Sequence, residues 1–142
     1  MKHNAFALVV HERVEPCESL KPVLRRFGVD TFSVHSCADA SRLLSQTHPH
    51  LIFTDTQLPD GSWIDLVNIA EDAAVPMCVI VVGPAKDPEM LLAASHNGAF
   101  SFISPPFDDE SISRVVSGAM TLVSARRERH SQIAAAEHSS AA

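Results

Sequence analysis

The chain has 142 residues, enough for one hydrophobic core, and dividing it into two would leave both undersized. With 46% apolar and 20% charged residues it is far from the low-hydrophobicity, high-charge composition of disordered chains. Lys and Arg number 11 against 17 Asp and Glu, and the formal net charge of -6 argues against nucleic acid as the main partner, because affinity for a phosphate backbone needs a dense cationic face.

No apolar run reaches the roughly 20 residues that cross a bilayer. Met1-Lys2-His3-Asn4 leads straight into a strand-like segment without a signal-peptide pattern, so a cytoplasmic protein with no membrane role is expected. Cys17, Cys37 and Cys78 are odd in number and widely spaced, and they are expected to be reduced, small core residues.

Ala5 to Val10 is a short apolar run of strand length. Glu15-Pro16 then opens a helix whose Leu20, Val23, Leu24 and Phe27 fall at helical spacing until Gly28 stops it. Thr31 to His35 alternates weakly as a second strand, and Ala40, Leu43 and Leu44 mark a short helix. Leu51-Ile52-Phe53-Thr54 is again a strand. Ser62 with Asp65 resembles a capping box before Ile64, Leu66, Val67 and Ile69. Met77 to Val82, the most hydrophobic strand, is expected at the centre of the sheet. Asp87-Pro88-Glu89 starts the next helix, Asn97-Gly98 ends it, and Phe100 to Ile103 is the last strand. From Asp108 the residues Ile112, Val115, Val116, Ala119, Leu122 and Val123 trace one helical face.

Strands alternating with helices predict an α/β fold, a doubly wound five-stranded parallel sheet with helices on both faces, because parallel neighbours need crossover helices. The predicted domain spans 4–124, and 125–142 is expected to extend the last helix and end as a disordered Ala/Ser/His tail.

In such sheets the ligand site lies at the carboxyl ends of the strands. The residues there are His11-Glu12, Asp55, Gly83-Pro84 and Pro105-Pro106. No glycine-rich phosphate loop follows the first strand and no Ser-His-Asp or Cys-His set assembles from the strand ends, so an enzyme is not expected. His48-Pro49-His50 reads as a solvated turn. Trp63 is either a partner anchor or a cover for the start of its helix.

Asp55-Thr56-Gln57-Leu58-Pro59-Asp60-Gly61, directly after a buried strand, resembles the phosphoacceptor loop of the response-regulator receiver domain, with a flavodoxin-like fold. Asn97-Gly98-Ala99-Phe100 and Pro106-Phe107 extend the resemblance over roughly Phe6 to Val123. It implies Asp55 as the phosphorylated residue, a Mg²⁺ held by two acids after the first strand with Asp55 and the Gln57 carbonyl, a Thr or Ser after the fourth strand, and a Lys before the last Pro. The sequence has His11-Glu12 in place of the acid pair, Gly83 (or, with a gap placed differently, Val82) in place of the hydroxyl and Pro105 in place of the Lys, with no Lys or Arg beside Pro105 to substitute. Mg²⁺ binding through Glu12, Asp55 and Gln57 is therefore expected to be weak, since imidazole poorly suits a hard cation. Phe102 falls where receivers carry an aromatic that swings inward on activation, and packing is its simpler role.

The resemblance further implies two-component phosphorelay signalling by a single-domain receiver, with a sensor histidine kinase or phosphotransfer protein upstream and a downstream signalling protein bound on the Asp87 to Ser124 surface. The alternative is a phosphorylation-independent pseudo-receiver acting as a protein-interaction module.

Overall fold

The computed structural model describes residues 4–140; Met1 to His3, where the leaderless start was read, and Ala141 to Ala142 at the end of the tail lie outside the described residues. In chain order the elements are β1 (Ala5–Val10), α1 (Cys17–Arg26), β2 (Val29–Val34), α2 (Cys37–Leu44), β3 (Leu51–Asp55), β4 (Gln57–Leu58), β5 (Gly61–Ser62), α3 (Trp63–Glu71), β6 (Cys78–Val82), α4 (Pro88–His96), β7 (Ser101–Ile103) and α5 (Asp109–Ser140).

Five strands form one parallel sheet in the order β2-β1-β3-β6-β7. Alternation along each strand sends side chains to opposite faces. Ala7, Val9, Phe53 and Ile80 meet Leu20, Leu24, Val116 and Val123 of α1 and α5 on one face. Leu8, Val10, Ile52 and Val81 meet Ala40, Leu66 and Ala94 of α2, α3 and α4 on the other. β3 and β6 are buried along their whole length because helices cover them on both sides, whereas β2 at the edge alternates. β6, the most hydrophobic strand, lies inside the sheet between β3 and β7 as expected, and β3 stands at the middle. Burial on both faces is common to all interior strands and does not rank them, and β3 carries the buried polar pair Thr54 and Asp55 at its carboxyl end.

Local signals in the sequence set the helix ends. Ser62 accepts from Ile64 N while Asp65 accepts from Ser62 N at 2.9 Å, which completes the capping box of α3. Asp87 caps α4 through Met90 N at 3.1 Å, and Gly98, at φ 96°, lets the chain leave it. β4 and β5 form a small antiparallel hairpin in the loop after β3. At its turn Asp60 accepts from Cys37 N at 2.8 Å and Ala38 N at 2.9 Å, which pins the start of α2 to the loop after β3. Those N–H groups hold the Asp60 carboxyl below its ordinary range.

The last helix extends past 124, and α5 runs as one helix to Ser140. The residues past Val123 lack an apolar stripe, yet Arg, Glu, Gln and Ala are strong helix formers and continue a helix already nucleated on the core. Arg127 ties the extension to the sheet, donating from Nε to the Pro76 carbonyl at 2.8 Å and from Nη2 to those of Pro49 at 2.7 Å and His48 at 3.2 Å. The His48–His50 turn is accordingly not simply solvated: its carbonyls take Arg127, and His50 Nδ1 accepts from Phe6 N at 3.2 Å. All three cysteines are free and buried.

Candidate functional site

The strand order reverses between β1 and β3, so the loops after these two strands border the crevice where doubly wound sheets place their ligands. His11 follows β1, and Asp55 ends β3. Asp55 is 0% exposed. A carboxylate in such surroundings stays charged only with a cation or several donors around it.

Arg13 supplies the cation. Its Nε donates to Asp55 Oδ2 at 3.0 Å and its Nη2 to Oδ1 at 2.5 Å, a two-pronged pairing that suits a planar guanidinium. Thr56 N adds a donor to Oδ1 at 2.7 Å. The hydrogen bond to Asp55, and then its charge, raise the pKa of the guanidinium above its ordinary value. Removing one partner of a fully buried pair costs about 3–5 kcal/mol, and here the cost falls toward or below the low end because the Arg13 side chain is 53% exposed.

No Lys or Arg stands beside Pro105, and the cation that meets Asp55 comes from another loop. Arg13 reaches Asp55 across 42 residues from the β1–α1 loop. The available signal was topological: a residue two places beyond His11 belongs to the same crevice edge as Asp55.

His11 is 4% exposed, and its Nδ1 lies 2.7 Å from the Arg13 carbonyl. A carbonyl only accepts, so the proton is on Nδ1. His35 Nδ1 donates likewise to the His11 carbonyl at 2.9 Å, and the two rings meet edge to face at 5.9 Å. Among the described residues His11 Nε2 is buried without a partner, a cost of about 1–3 kcal/mol that accompanies this hold on the Arg13 backbone.

The residues do not fit the Mg²⁺ that the family pattern implies. Glu12 stands exposed, His11 turns its Nδ1 to the Arg13 carbonyl where the pattern has an acid, and both oxygens of Asp55 already face Arg13. Among the described residues no group of three His, Cys, Asp or Glu side chains converges to hold a metal.

At the carboxyl end of β6, Gly83 N donates to the Ile103 carbonyl at 2.9 Å. Phe102 lies directly over this glycine: a Cβ at position 83 would be 2.4 Å from Phe102 Cζ and 2.6 Å from Cε2. The aromatic ring therefore fills the space in which a Thr or Ser side chain would stand. The half-buried Phe102 also lines a groove of about 490 Å³ between α4, β7 and α5, with Lys86, Leu91, Pro105, Ile112 and Val115. Trp63 is 5% exposed and belongs to the core under α3, which removes it as a partner anchor.

The family model for the response regulator receiver domain matches residues 7–117. The chain is 30% identical over 116 residues to response regulator protein PilR of Pseudomonas aeruginosa, covering 82% of this chain and 26% of that protein. It is 31% identical over 128 residues to sensory transduction protein LytT of Bacillus cereus, covering 89% and 49%. The chain thus spans about a quarter to a half of the length of these relatives. In fold it resembles a response regulator receiver domain protein from Clostridium thermocellum, with TM-score 0.69, 21% identity and coverage of 82% and 94% of the two chains. It also resembles NtrX from Brucella abortus, with TM-score 0.76, 23% identity and coverage of 93% and 29%.

Proposed function

Because the chain belongs to the response regulator receiver domain family of two-component systems, we propose that it is a receiver whose output face is held in one state and binds its signalling partner largely independently of Asp55 phosphorylation. One observation carries this reading: the Phe102 ring against Gly83. A phosphoryl group on Asp55 can shift the output face only by bonding better to one arrangement of it than to another. At position 83 there is no hydroxyl to pull, and the space it would need is filled by the aromatic that leads to the α4–β7–α5 groove.

The groove offers the partner apolar contact from Leu91, Phe102 and Ile112, with Lys86, Asp87 and Asp108 among its charged residues. The upstream partner in this reading is a sensor histidine kinase or phosphotransfer protein, and the downstream one is a signalling protein. The acidic balance of the chain disfavours nucleic acid as a direct partner. No helix among the described residues is long and apolar enough to cross a membrane, and the cytoplasm is the proposed compartment. We assign the chain no reaction of its own beyond what a partner kinase brings to Asp55. A second reading, a phosphorylated Asp55 that still signals, is favoured by the placement of Asp55 at the end of β3 in the crevice.

The test is intact-mass analysis after incubation with acetyl phosphate and Mg²⁺. The expected result is no stoichiometric phosphoryl adduct within minutes, because the hydroxyl at 83, the Lys at 105 and the paired acids are missing together. Rapid, complete addition of one phosphoryl mass at Asp55 would return the chain to the second reading.

A further inference from the structure

Asp55 is wholly out of solvent, and both of its oxygens are turned to one guanidinium, Nη2 to Oδ1 at 2.5 Å and Nε to Oδ2 at 3.0 Å. A divalent cation on this carboxylate would compete for the same lone pairs and would stand against the Arg13 charge. The loop carrying Arg13 is fixed through its backbone. His11 donates from Nδ1 to the Arg13 carbonyl at 2.7 Å, and His35 donates to the His11 carbonyl at 2.9 Å. An aspartate at position 11 would present an acceptor to that carbonyl and would lose the bond.

We propose that Arg13 is the resident cation of this acid pocket, that His11 is the residue that positions it, and that together they replace the divalent metal of the site. The imidazole at 11 and the guanidinium at 13 are then one coupled change. The first removes a metal-ligating acid and holds the loop, and the second supplies the charge the metal would have brought. This explains why a chain without the usual acid pair keeps a fully buried carboxylate at 55.

The proposal concerns the same pocket as the functional reading above and fails separately from it. The Mg²⁺ dependence of stability decides the former, and phosphoryl addition at Asp55 decides the latter.

The experiment is thermal unfolding with and without millimolar MgCl₂, against NaCl of matched ionic strength, of the wild type and of Arg13→Gln, Arg13→Gln/Asp55→Asn and His11→Asp/Arg13→Gln. The wild-type Tm is expected to be unmoved by Mg²⁺. Arg13→Gln should lower Tm by roughly 5 °C or more by leaving the carboxylate unpaired. The added Asp55→Asn should recover most of that loss and leave no Mg²⁺ response. His11→Asp/Arg13→Gln should gain a saturable rise of Tm with Mg²⁺ that the wild type lacks. If Arg13→Gln does not fold but Arg13→Gln/Asp55→Asn does, the unpaired charge is again identified as the cause. A wild-type Tm that rises with Mg²⁺, an Arg13→Gln variant that loses nothing, or a loss that Asp55→Asn fails to recover would each overturn the proposal.

Discussion

Gly83→Ala adds a single methyl group, and its effect should change sign with the residue at 102. The new Cβ would lie 2.4 Å from Phe102 Cζ, well inside contact distance, so the ring must move. Overpacking of this kind costs about 1–3 kcal/mol, and the low half of that range applies because the clashing atoms are the end of a half-exposed ring that can rotate outward. Gly83 is not among the residues with positive φ, so alanine fits its backbone and restricts the unfolded chain, a gain of about 0.4–1 kcal/mol. The balance in the wild type is a net loss of about 1 kcal/mol. In a Phe102→Ala background the clash is gone and only the gain remains, so Gly83→Ala should there stabilise by about 0.5 kcal/mol. The coupling between the two positions is then about 1–2 kcal/mol, within the range for directly contacting residues. Urea unfolding followed through the single, buried Trp63 measures all four corners of this cycle. Equal effects of Gly83→Ala in both backgrounds would refute the idea that the Phe102 ring occupies the space at 83, and with it the basis for a face held in one state.

Arg127→Ala removes a half-buried guanidinium from three backbone carbonyls and should destabilise the fold by about 2–3 kcal/mol, read as a lower urea midpoint. Arg127→Lys should restore less than half of this, since an ammonium cannot span the same fork. His50 is held below its ordinary value near 6.5, first by burial and then by the nearby Arg127 charge. The unfolded chain therefore takes up the proton first as pH falls. The contribution of His50 is complete above about 6.5 and is lost as pH drops through the lower folded value; His50→Gln should remove this component from a plot of stability against pH.

The fold was legible in the sequence because each element carries its own local signal: apolar runs for β1, β3 and β6, a capping box at Ser62 and Asp65, Asp87-Pro88 before α4 and Gly98 after it. These depend on neighbours in the chain. The site was legible only by position, since Asp55 follows from the end of a buried strand but its partners come from other loops. Arg13 reaches it from the β1–α1 loop, and the Phe102 ring reaches Gly83 from β7. Neither contact has a sequence spacing that reveals it, and each depends on strand order and rotamer. Past Val123 the apolar periodicity stops, while helix propensity and one well-placed arginine carry α5 on.

The most direct measurement is the amide NMR spectrum of the wild type beside that of Asp55→Asn, which removes the charge on which any phosphoryl switch would act. If the output face is uncoupled from Asp55, shifts stay with the β1–α1 loop, the end of β3 and the β4–β5 hairpin, and the amides from Lys86 to Val115 keep their positions. A concerted movement of the α4–β7–α5 amides in Asp55→Asn would contradict a face held in one state and show that the crevice still controls it.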